Sequence, residues 1–509
     1  MAELLVDQLR AMAKAFPEET AYVDLDARDS ISFQQWEQQS NRLARGLVEL
    51  GIEKGDRVAL HLPGTRLFPW MITYAAIHKA GAVAVPSNTR LTPGELRTIL
   101  GHAEISAAVT SDELLPSLSD VRTLPSLHVV IDVDGPTDGT VDIHRALSTD
   151  HSTFQVPVAE DDLADIMYTS GTTGLPKGVA VRHRNVAMVP NSDPSWSGKA
   201  WMHSSPLFTF AGIGFVYNPM KMGMAGLYQS RFDAGRWLEH VERMRPTMAF
   251  IVPAMAQLIV NHERFETANL DSLALLSIGS APLAPDILLK LLDRLPDASV
   301  SNSYGMTEAG PAFCVTPKEE AGRRLGSVGL PMPPMEIRIV DPATETDLPP
   351  GEHGEVLVRN RGREREYYKD PEATERTWSD EGWLRTGDVG FLDDDGYLYL
   401  SGRMKEVIIR GGNNVYTTDV EAVLYEHPLV LEAAVIGVPH DVLGEDVGAC
   451  VVVKPGEQLD AATLELFCRE RLADYKVPRH IVFLGELPRN PTGKVLKNEL
   501  KELGWHSTS

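Results

Sequence analysis

Short apolar runs separated by helical stripes constrain this chain more than any other feature of it. Ala21-Tyr22-Val23, Ile31-Ser32-Phe33, Arg57 to Leu62, Ala82 to Pro86 and Ala107 to Thr110 read as strands. Between them Trp36, Leu43, Leu47 and Leu50 stripe a helix that Gly51 ends, and Phe68 to Lys79 forms another. Thr92-Pro93-Gly94-Glu95 is a capping box with proline in the first helical position. A whole helix between two strands rules out a tight hairpin and demands a crossover, the connection of a parallel, doubly wound sheet. After an excursion rich in Asp, Thr, Ser and Pro between Asp132 and Asp162, a second alternation begins. Its strands are Trp201 to His203, Gly226 to Tyr228, Met248 to Val252, Leu275 to Ile278 and Val300 to Tyr304, with helices at Ala234 to Met244 and Pro285 to Leu295. From Arg324 to Leu400 the pattern is short strands with Gly and Pro turns, such as Glu336 to Val340, Gly354 to Val358 and Gly396 to Leu400. Glu432 to Ile436, Gly448 to Val453, a helix at Ala461 to Leu472 and His480 to Phe483 return to mixed α/β. The expected fold class is therefore α/β: two doubly wound units side by side, a β-rich subdomain and a small α+β C-terminal domain.

Charge and cysteine usage narrow what such a chain can bind. A length of 509 residues, 43% hydrophobic and 23% charged, supplies more than one core and points away from disorder. The net charge of −23 argues against a nucleic-acid partner or an anionic membrane surface, so an anionic ligand must be held by a local positive site. Cys314, Cys450 and Cys468 lie far apart without metal-ligand spacing, which points to packing roles, no zinc and a reducing compartment. Met1 to Phe16 sets Leu5, Leu9, Met12 and Phe16 on one helical face among Glu3, Asp7, Arg10 and Lys14, an amphipathic helix and not a signal peptide. The most apolar window, Met248 to Val260, contains Pro253 and Gln257 and is too short to span a bilayer. A cytoplasmic protein is expected, with no stable membrane insertion. No GxGxxG follows the first strand, so a dinucleotide site is not indicated.

Tyr168-Thr169-Ser170-Gly171-Thr172-Thr173-Gly174-Leu175-Pro176-Lys177-Gly178 lies between two strand-like runs. Its glycines allow close backbone approach, its hydroxyls and amides can point inward, and Lys177 adds one positive charge, a combination suited to a polyphosphate. It is not a Walker A loop, since Lys177 follows Pro176 and no hydroxyl residue comes after it. An ordinary glycine-rich hairpin is the alternative. Ser303-Tyr304-Gly305-Met306-Thr307-Glu308 ends a strand, where open α/β sheets bind ligands. There Glu308 is a candidate ligand for the Mg2+ of ATP, or else part of a helix cap. The small residues of Ser277-Ile278-Gly279-Ser280-Ala281-Pro282-Leu283 leave room for a flat ligand, or make a tight helix entry. Asp388, after Thr386-Gly387, offers two acceptor oxygens to a sugar diol, although a solvated turn is the commoner fate of such a residue. Gly411-Gly412-Asn413 would let a thin ligand arm pass close to the backbone, or form an ordinary turn.

Taken in order, these segments resemble the acyl-adenylate-forming superfamily, which includes acyl-CoA synthetases, aryl-CoA ligases, luciferases and peptide-synthetase adenylation domains. The resemblance covers about Asp162 to Lys497. It implies ATP or AMP contacts from Thr169, Ser170, Gly171, Thr172, Thr173, Gly174 and Lys177, from Ser280, Ala281 and Pro282, and from Asn302, Ser303, Gly305 and Met306. Tyr304 would stack on adenine, Thr307 touch the α-phosphate, Glu308 hold magnesium, Asp388 hold the ribose and Arg403 contact ribose or phosphate. Ser401-Gly402-Arg403-Met404-Lys405 is similar to the superfamily's hinge, with Lys405 as pivot, and Pro488 to Lys494 to the loop bearing its catalytic lysine. Domain limits follow: 1–400 an adenylation domain, 401–405 the hinge and 406–509 a small mobile lid. Gly411, Gly412 and Asn413 would meet CoA, and Phe208, Thr209, Phe210 and Gly279 the acyl group. Phe215, Met220, Met222 and Met224 suggest an adaptable apolar pocket or simply core.

Two departures stand out. Pro206-Leu207-Phe208-Thr209 replaces the Pro-Leu-Phe-His of many relatives, and Arg359 to Tyr367 is strongly charged where they carry Gly and Pro. The charged run reads as a solvated loop or a basic edge for the CoA nucleotide. The implied activity is that of an ATP-dependent, AMP-forming acyl-CoA synthetase using ATP, Mg2+ and coenzyme A on a small-molecule carboxylic acid. No acidic anchor for an α-amino group lies near Phe208-Thr209, so an α-amino acid substrate is disfavoured, and no carrier segment is visible after Lys494, so CoA is the expected acceptor. A ligase that loads a carrier protein and a non-catalytic nucleotide-binding regulator are the alternatives, and a homodimer is left open.

Overall fold

The computed structural model describes residues 4–135, 137–169, 176–186, 189–310, 313–362, 364–489, 494–503 and 505. Among these, the strands form four sheets. The first runs in the order Glu366–Tyr367, Lys177–Arg182, Leu163–Thr169, Val83–Pro86, Arg57–His61, Ala107–Thr110, Val129–Asp132, Val141–Asp142. Its Val83-to-Asp142 part is parallel. Leu163–Thr169 pairs parallel with Val83–Pro86 and antiparallel with Lys177–Arg182, so the strands on either side of the glycine-rich segment form a hairpin, with Glu366–Tyr367 as the edge strand beyond it. The second sheet is Ser299–Ser303, Leu275–Gly279, Met248–Ile251, Lys199–His203, Met224–Tyr228, Thr20–Asp24, Asp29–Ser32, parallel except for the last pair. A third, antiparallel sheet holds Cys314–Val315, Ser327–Pro331, Leu398–Arg403, Leu384–Leu392, Gly354–Asn360 and Met335–Val340. The fourth belongs to the C-terminal region: Asn413–Val415, Ile408–Arg410, Gly444–Val453 and Val430–His440, with His480–Phe483 parallel to Gly444–Val453.

Local signals place most elements where the spacing predicts them. The Thr92–Glu95 capping box opens the helix Pro93–Ala103, and a second box, Ser32 with Gln35, opens Phe33–Glu49. Phe33, expected in a strand, therefore starts the helix. The Asp132–Asp162 excursion contains the edge strand Val141–Asp142 and the short helix Ile143–Ala146, and Val129–Asp132 just before it is a further strand. The main correction concerns sheet membership. Thr20–Asp24 and Asp29–Ser32 precede the first unit in sequence yet lie in the second sheet, where Tyr22 is level with Gly226. A Cβ on Gly226 would fall 2.0 Å from the Tyr22 ring, so this pairing requires glycine there. The two units share one body. A single core cluster takes Val58, Leu60 and Ala84 from the first sheet, Tyr22 and Tyr228 from the second and Val216 and Tyr217 from the helix Phe210–Lys221.

Leu5, Leu9 and Met12 of the first helix are buried as its stripe predicts, and all three cysteines are buried, with burial raising each thiol. Among the described residues no helix is long and apolar enough to cross a membrane.

Candidate active site

Three pieces of backbone meet at the carboxyl ends of Leu275–Gly279 and Ser299–Ser303. The two strands are adjacent and parallel, with Gly279 level with Ser303, and the Ser277 and Ser303 hydroxyls are 3.0 Å apart. A Cβ on Gly279 would lie 3.0 Å from the Ser303 carbonyl and 3.5 Å from the Phe250 ring, so the strand end stays free of a side chain. Ser280 follows with φ at 76°, a left-handed conformation that a non-glycine residue adopts at a cost, and strain of this kind concentrates at functional sites. Ser280 and Pro282 are exposed and Ala281 is half-buried. Asn302 is turned toward the third sheet, its amide donating to the Ser327 carbonyl at 3.4 Å.

Beyond Ser303 the chain crosses to the third sheet. The Tyr304 hydroxyl donates to Asp388 Oδ2 at 2.6 Å, near the Met306 sulfur at 4.0 Å, and Arg403 Nε lies 2.9 Å from Asp388 Oδ1. Asp388 is set by its strand, Leu384–Leu392, which is paired with Leu398–Arg403 so that Asp388 and Arg403 are opposite. The hydroxyl of Thr386 accepts the Asp388 N–H at 3.0 Å and donates to the Val356 carbonyl at 2.6 Å. Burial and the adjoining Asp388 hold the Tyr304 hydroxyl well above the usual tyrosine range. Burial opposes the charge of Arg403, but Asp388, Tyr304, Glu406 and Glu308 outweigh it and raise the pKa.

Glu308 closes the arc back to the hairpin, its Oε1 accepting from the Thr169 hydroxyl at 3.0 Å. Lys177, at the start of the second hairpin strand, places Nζ 4.6 Å from the centre of the Tyr367 ring. The Tyr367 hydroxyl is pushed up to about 12, first by burial and then by the charge of Glu308. Ser170, Gly171, Thr172, Thr173 and Gly174 lie outside the described residues. Gly305, between the Tyr304 and Thr307 contacts, lies on the same segment.

Lys494 comes from the C-terminal region, and its side chain keeps solvent-exposed surface while protein crowds most of it. Desolvation, then Arg403, lower its ammonium pKa, while Asp388, Glu308 and Glu406 push it back up. The structure thus brings Lys494 within electrostatic reach of Arg403, Asp388 and Glu308 although some 90 residues separate it from the nearest of these in sequence. Lys405 sits in the short turn Met404–Glu406, where burial lowers its pKa as well. Lys497, which the sequence did not single out, lies 3.3 Å from Glu406 and 2.8 Å from Glu421 and braces that turn against the C-terminal sheet's first helix. Gly411 and Gly412 have φ of 58° and 86°, and Gly411 N–H donates to Leu443 O at 2.9 Å. Among the described residues, the recorded contacts of Gly411, Gly412 and Asn413 stay within the C-terminal region, so they are not part of the cluster around Lys494.

The expected acyl wall divides. Thr209 caps the helix Phe210–Lys221, its hydroxyl accepting from Gly212 N–H at 3.0 Å and donating to Pro206 O at 2.8 Å. Phe208 and Phe210 are half-buried, and Phe215 packs on Phe250 with ring centres 4.5 Å apart. The methionines do not share one cavity: Met220 is in the main core, Met224 packs in the Trp201, Phe215 and Phe250 cluster, and Met222 is 38% exposed. The Arg359–Tyr367 run is solvated only in part: Arg361, Gly362 and Glu364 are exposed, whereas Arg359 and Arg365 are engaged by the protein. Arg359 pairs with Glu336 at 2.6 Å and lies 4.1 Å over the Trp383 ring, Arg361 pairs with the same carboxylate, and Arg365 is buried. The strand Gly354–Asn360 ends before Arg361, so no strand period in the sequence marked which of these arginines would be buried.

Residues 9–368 match the AMP-binding enzyme family, and residues 419–494 match the AMP-binding enzyme C-terminal domain. The chain belongs to the AMP-binding enzyme family. A feruloyl-CoA synthase from an Amycolatopsis species is 36% identical over 479 residues, covering 93% of this chain and 94% of that protein. Among solved structures, the anthranilate CoA ligase AuaEII in complex with anthranoyl-AMP superposes with a TM-score of 0.87 at 26% identity, covering 98% of this chain and 96% of that one. ATP-bound MatB from Rhodopseudomonas palustris gives 0.86 at 29% identity, with 99% of each chain covered. The first family match contains the glycine-rich hairpin and the Tyr304–Glu308 segment, and the second ends on Lys494. Asp388, Arg403 and Lys405 fall between the two, and of these Asp388 and Arg403 join Tyr304 through the contacts above.

Proposed function

We infer that this chain is an ATP-dependent, AMP-forming acyl-CoA synthetase, an acid–thiol ligase working in two steps. A carboxylate oxygen attacks the α-phosphorus of ATP, pyrophosphate leaves and acyl-AMP forms; the thiol of CoA then attacks the acyl carbonyl and AMP leaves. The observation that carries this reading is the Tyr304–Asp388–Arg403 cluster with Glu308 on Thr169, within electrostatic reach of Lys494 from the C-terminal region. A lysine from the C-terminal domain at that point offers a preorganised positive charge where negative charge shifts during adenylation. Tyr304 presents a ring at the strand end for adenine. Each Asp388 oxygen has more than one acceptor site, so the carboxylate can take ribose hydroxyls while keeping Tyr304 and Arg403. Thr307 and the hairpin ends Thr169 and Lys177 face the phosphates. The donor set also fits Mg2+: Glu308 is one carboxylate oriented by a hydroxyl, and this hard cation takes few protein carboxylates and completes its shell with phosphate oxygens and water. When bound, Mg2+ would neutralise phosphate charge.

The substrate is an apolar carboxylic acid lying between the Gly279–Pro282 turn and the Phe208–Phe210 segment, with CoA reaching it along Gly411, Gly412 and Asn413. The side-chain-free Gly279 and the aromatic rings favour a flat aryl acid, in keeping with the feruloyl-CoA and anthranilate ligases among its relatives. The region 401–405, with Lys405 as pivot, separates an adenylation domain of residues 1–400 from the C-terminal lid of residues 406–509. Pyrophosphate release over ferulate, anthranilate, octanoate and malonate, each with and without CoA, tests the whole reading. The expected result is pyrophosphate release with at least one apolar acid and AMP release that depends on CoA. Release that CoA does not convert to thioester points to a carrier-loading ligase, and no release with any acid points to a nucleotide-binding regulator.

A further inference from the structure

Arg365 ties together three segments that sequence separates widely. It is 5% exposed and stands immediately before Glu366–Tyr367, which pair with Ala180 and Val179 of the second hairpin strand. One terminal nitrogen, Nη1, donates to the Thr307 carbonyl, and the other, Nη2, donates to the Asn185 carbonyl at 2.5 Å. Its Cζ lies 4.4 Å from the centre of the Phe210 ring, the first residue of the Thr209-capped helix. The edge of the guanidinium is thus used on two carbonyls and its face on an aromatic ring. A planar fork can do both at once, whereas a lysine ammonium presents neither a fork nor a flat face. Holding the Thr307 carbonyl fixes the peptide that leads into Glu308. Holding Phe210 fixes the start of the expected acyl wall.

We propose that Arg365 is a positioning residue that sets the acyl-pocket wall and the Thr307–Glu308 segment against one another, so that acid binding and nucleotide alignment depend on one side chain. The proposal rests on the acyl-CoA synthetase reading above. A merely structural bolt would also be buried and well bonded, but its removal would lower the folded fraction without separating acid from nucleotide.

The test uses the full chain carrying Arg365→Lys, Arg365→Gln, Phe210→Leu and the Arg365→Lys/Phe210→Leu pair, with folding checked by circular dichroism and thermal melting. Calorimetry measures binding of AMP and of the sulfamoyl-adenosine analogues of feruloyl- and octanoyl-adenylate, and steady-state assays give KM for acid and for ATP. In Arg365→Gln, binding of the better analogue is expected to weaken about tenfold or more, the scale of a lost charge-assisted bond plus a ring contact, while AMP binding changes less than about threefold. Arg365→Lys keeps a cation near the ring but cannot bridge both carbonyls. It is expected to recover only part of the analogue affinity, with the acid KM raised about fivefold and kcat for pyrophosphate release about tenfold low. Its effect on the acid KM should largely vanish in the Phe210→Leu background, because coupled neighbours are non-additive. If Arg365→Gln does not fold, the lysine variant and the double-mutant cycle carry the test. Folded variants with unchanged acid KM, equal losses for AMP and analogue, or additive effects in the cycle would overturn the proposal. A parent protein that turns over no acid overturns the activity itself and this role with it.

Discussion

In the proposed reaction Lys494 is the residue on which adenylation turns, and its surroundings set a pH limit. Desolvation and Arg403 disfavour its ammonium, so its pKa lies below the ordinary lysine range. The working form is the cation. As pH rises through that lowered pKa the cation is lost, so adenylation should fall on the alkaline side earlier than an unperturbed lysine would allow, and be complete below it. The pH profile of kcat/KM for pyrophosphate release measures this, and Lys494→Arg should remove that alkaline limb while retaining some activity. A limb that is unmoved in Lys494→Arg assigns it to another group. Lys494→Ala should lose about 3 kcal/mol or more of transition-state stabilisation in adenylation, the scale of one lost oxyanion donor, yet still convert supplied acyl-AMP and CoA to thioester. Equal losses in both half-reactions, in folded protein, would take Lys494 out of the first one.

Two elements carry strain or capping at the edge of the site, and each makes a prediction of its own. Ser280 joins the strand Leu275–Gly279 to the helix Pro285–Arg294 with φ at 76°. A Cβ in that conformation costs roughly 1–2 kcal/mol. Ser280→Gly is therefore expected to be more stable than Ser280→Ala by roughly 1 kcal/mol in urea unfolding, after the glycine's greater unfolded-state entropy is counted. Equal stabilities would mean that the turn relaxes. At the other wall, the Thr209 hydroxyl is spent on Gly212 and Pro206. Thr209→Ala should cost about 1 kcal/mol of stability and Thr209→Ser much less, as for other helix N-caps. Thr209→His loses the same cap and adds a ring, so its preference among the acids should change while KM for ATP stays within about threefold. A tenfold rise in KM for ATP with an unaltered acid profile would remove Thr209 from the acyl wall.

For the whole molecule, the question is how one small domain serves two half-reactions. In the arrangement seen, contacts hold it on both sides of residues 401–405. The Gln257 side chain of the helix Pro253–Val260 donates to the Leu431 carbonyl. Near the pivot, the His353 ring stacks on Tyr416 at 4.7 Å and 11° while its Nδ1 meets the Ser401 hydroxyl at 2.8 Å. A rotation about Lys405 that presents Gly411 and Gly412 in place of Lys494 must break the first contact and the stack. Removing one latch of about 1 kcal/mol shifts a two-state balance about fivefold. Gln257→Ala should accordingly slow adenylation by up to that factor and leave thioester formation from supplied acyl-AMP unchanged or faster. Lys405→Pro should do the opposite, since fixing φ near −65° restricts the pivot. Assays of each half-reaction separately decide between these outcomes, and variants that slow both equally would argue against a rotation.

The residue types and their spacing were enough to establish the alternation of strands and helices, the Thr92–Glu95 cap, the hairpin ends at Thr169 and Lys177 and the order of the segments that meet at the site. These features depend on period, on capping and on local backbone freedom, all of which act within a few residues. Sheet membership was not legible in the same way. Tyr22 reads as a strand residue from its neighbours, but only the bare backbone of Gly226, about 200 positions on, lets it join the second sheet. Nor could the charged run reveal that Arg359 and Arg361 neutralise Glu336 while Arg365, a few residues later, is buried against Thr307, Asn185 and Phe210. A guanidinium is hydrophilic wherever the sequence shows it, and its fate is decided by which carbonyls and rings the packed chain brings within reach. Asp388 was one of several aspartates until Tyr304 and Arg403 closed on it. Sequence determined the chemistry available to this protein, because side-chain identity and short-range geometry are local; tertiary structure decided which of those groups work together, because contacts between distant segments depend on the packing of every element between them.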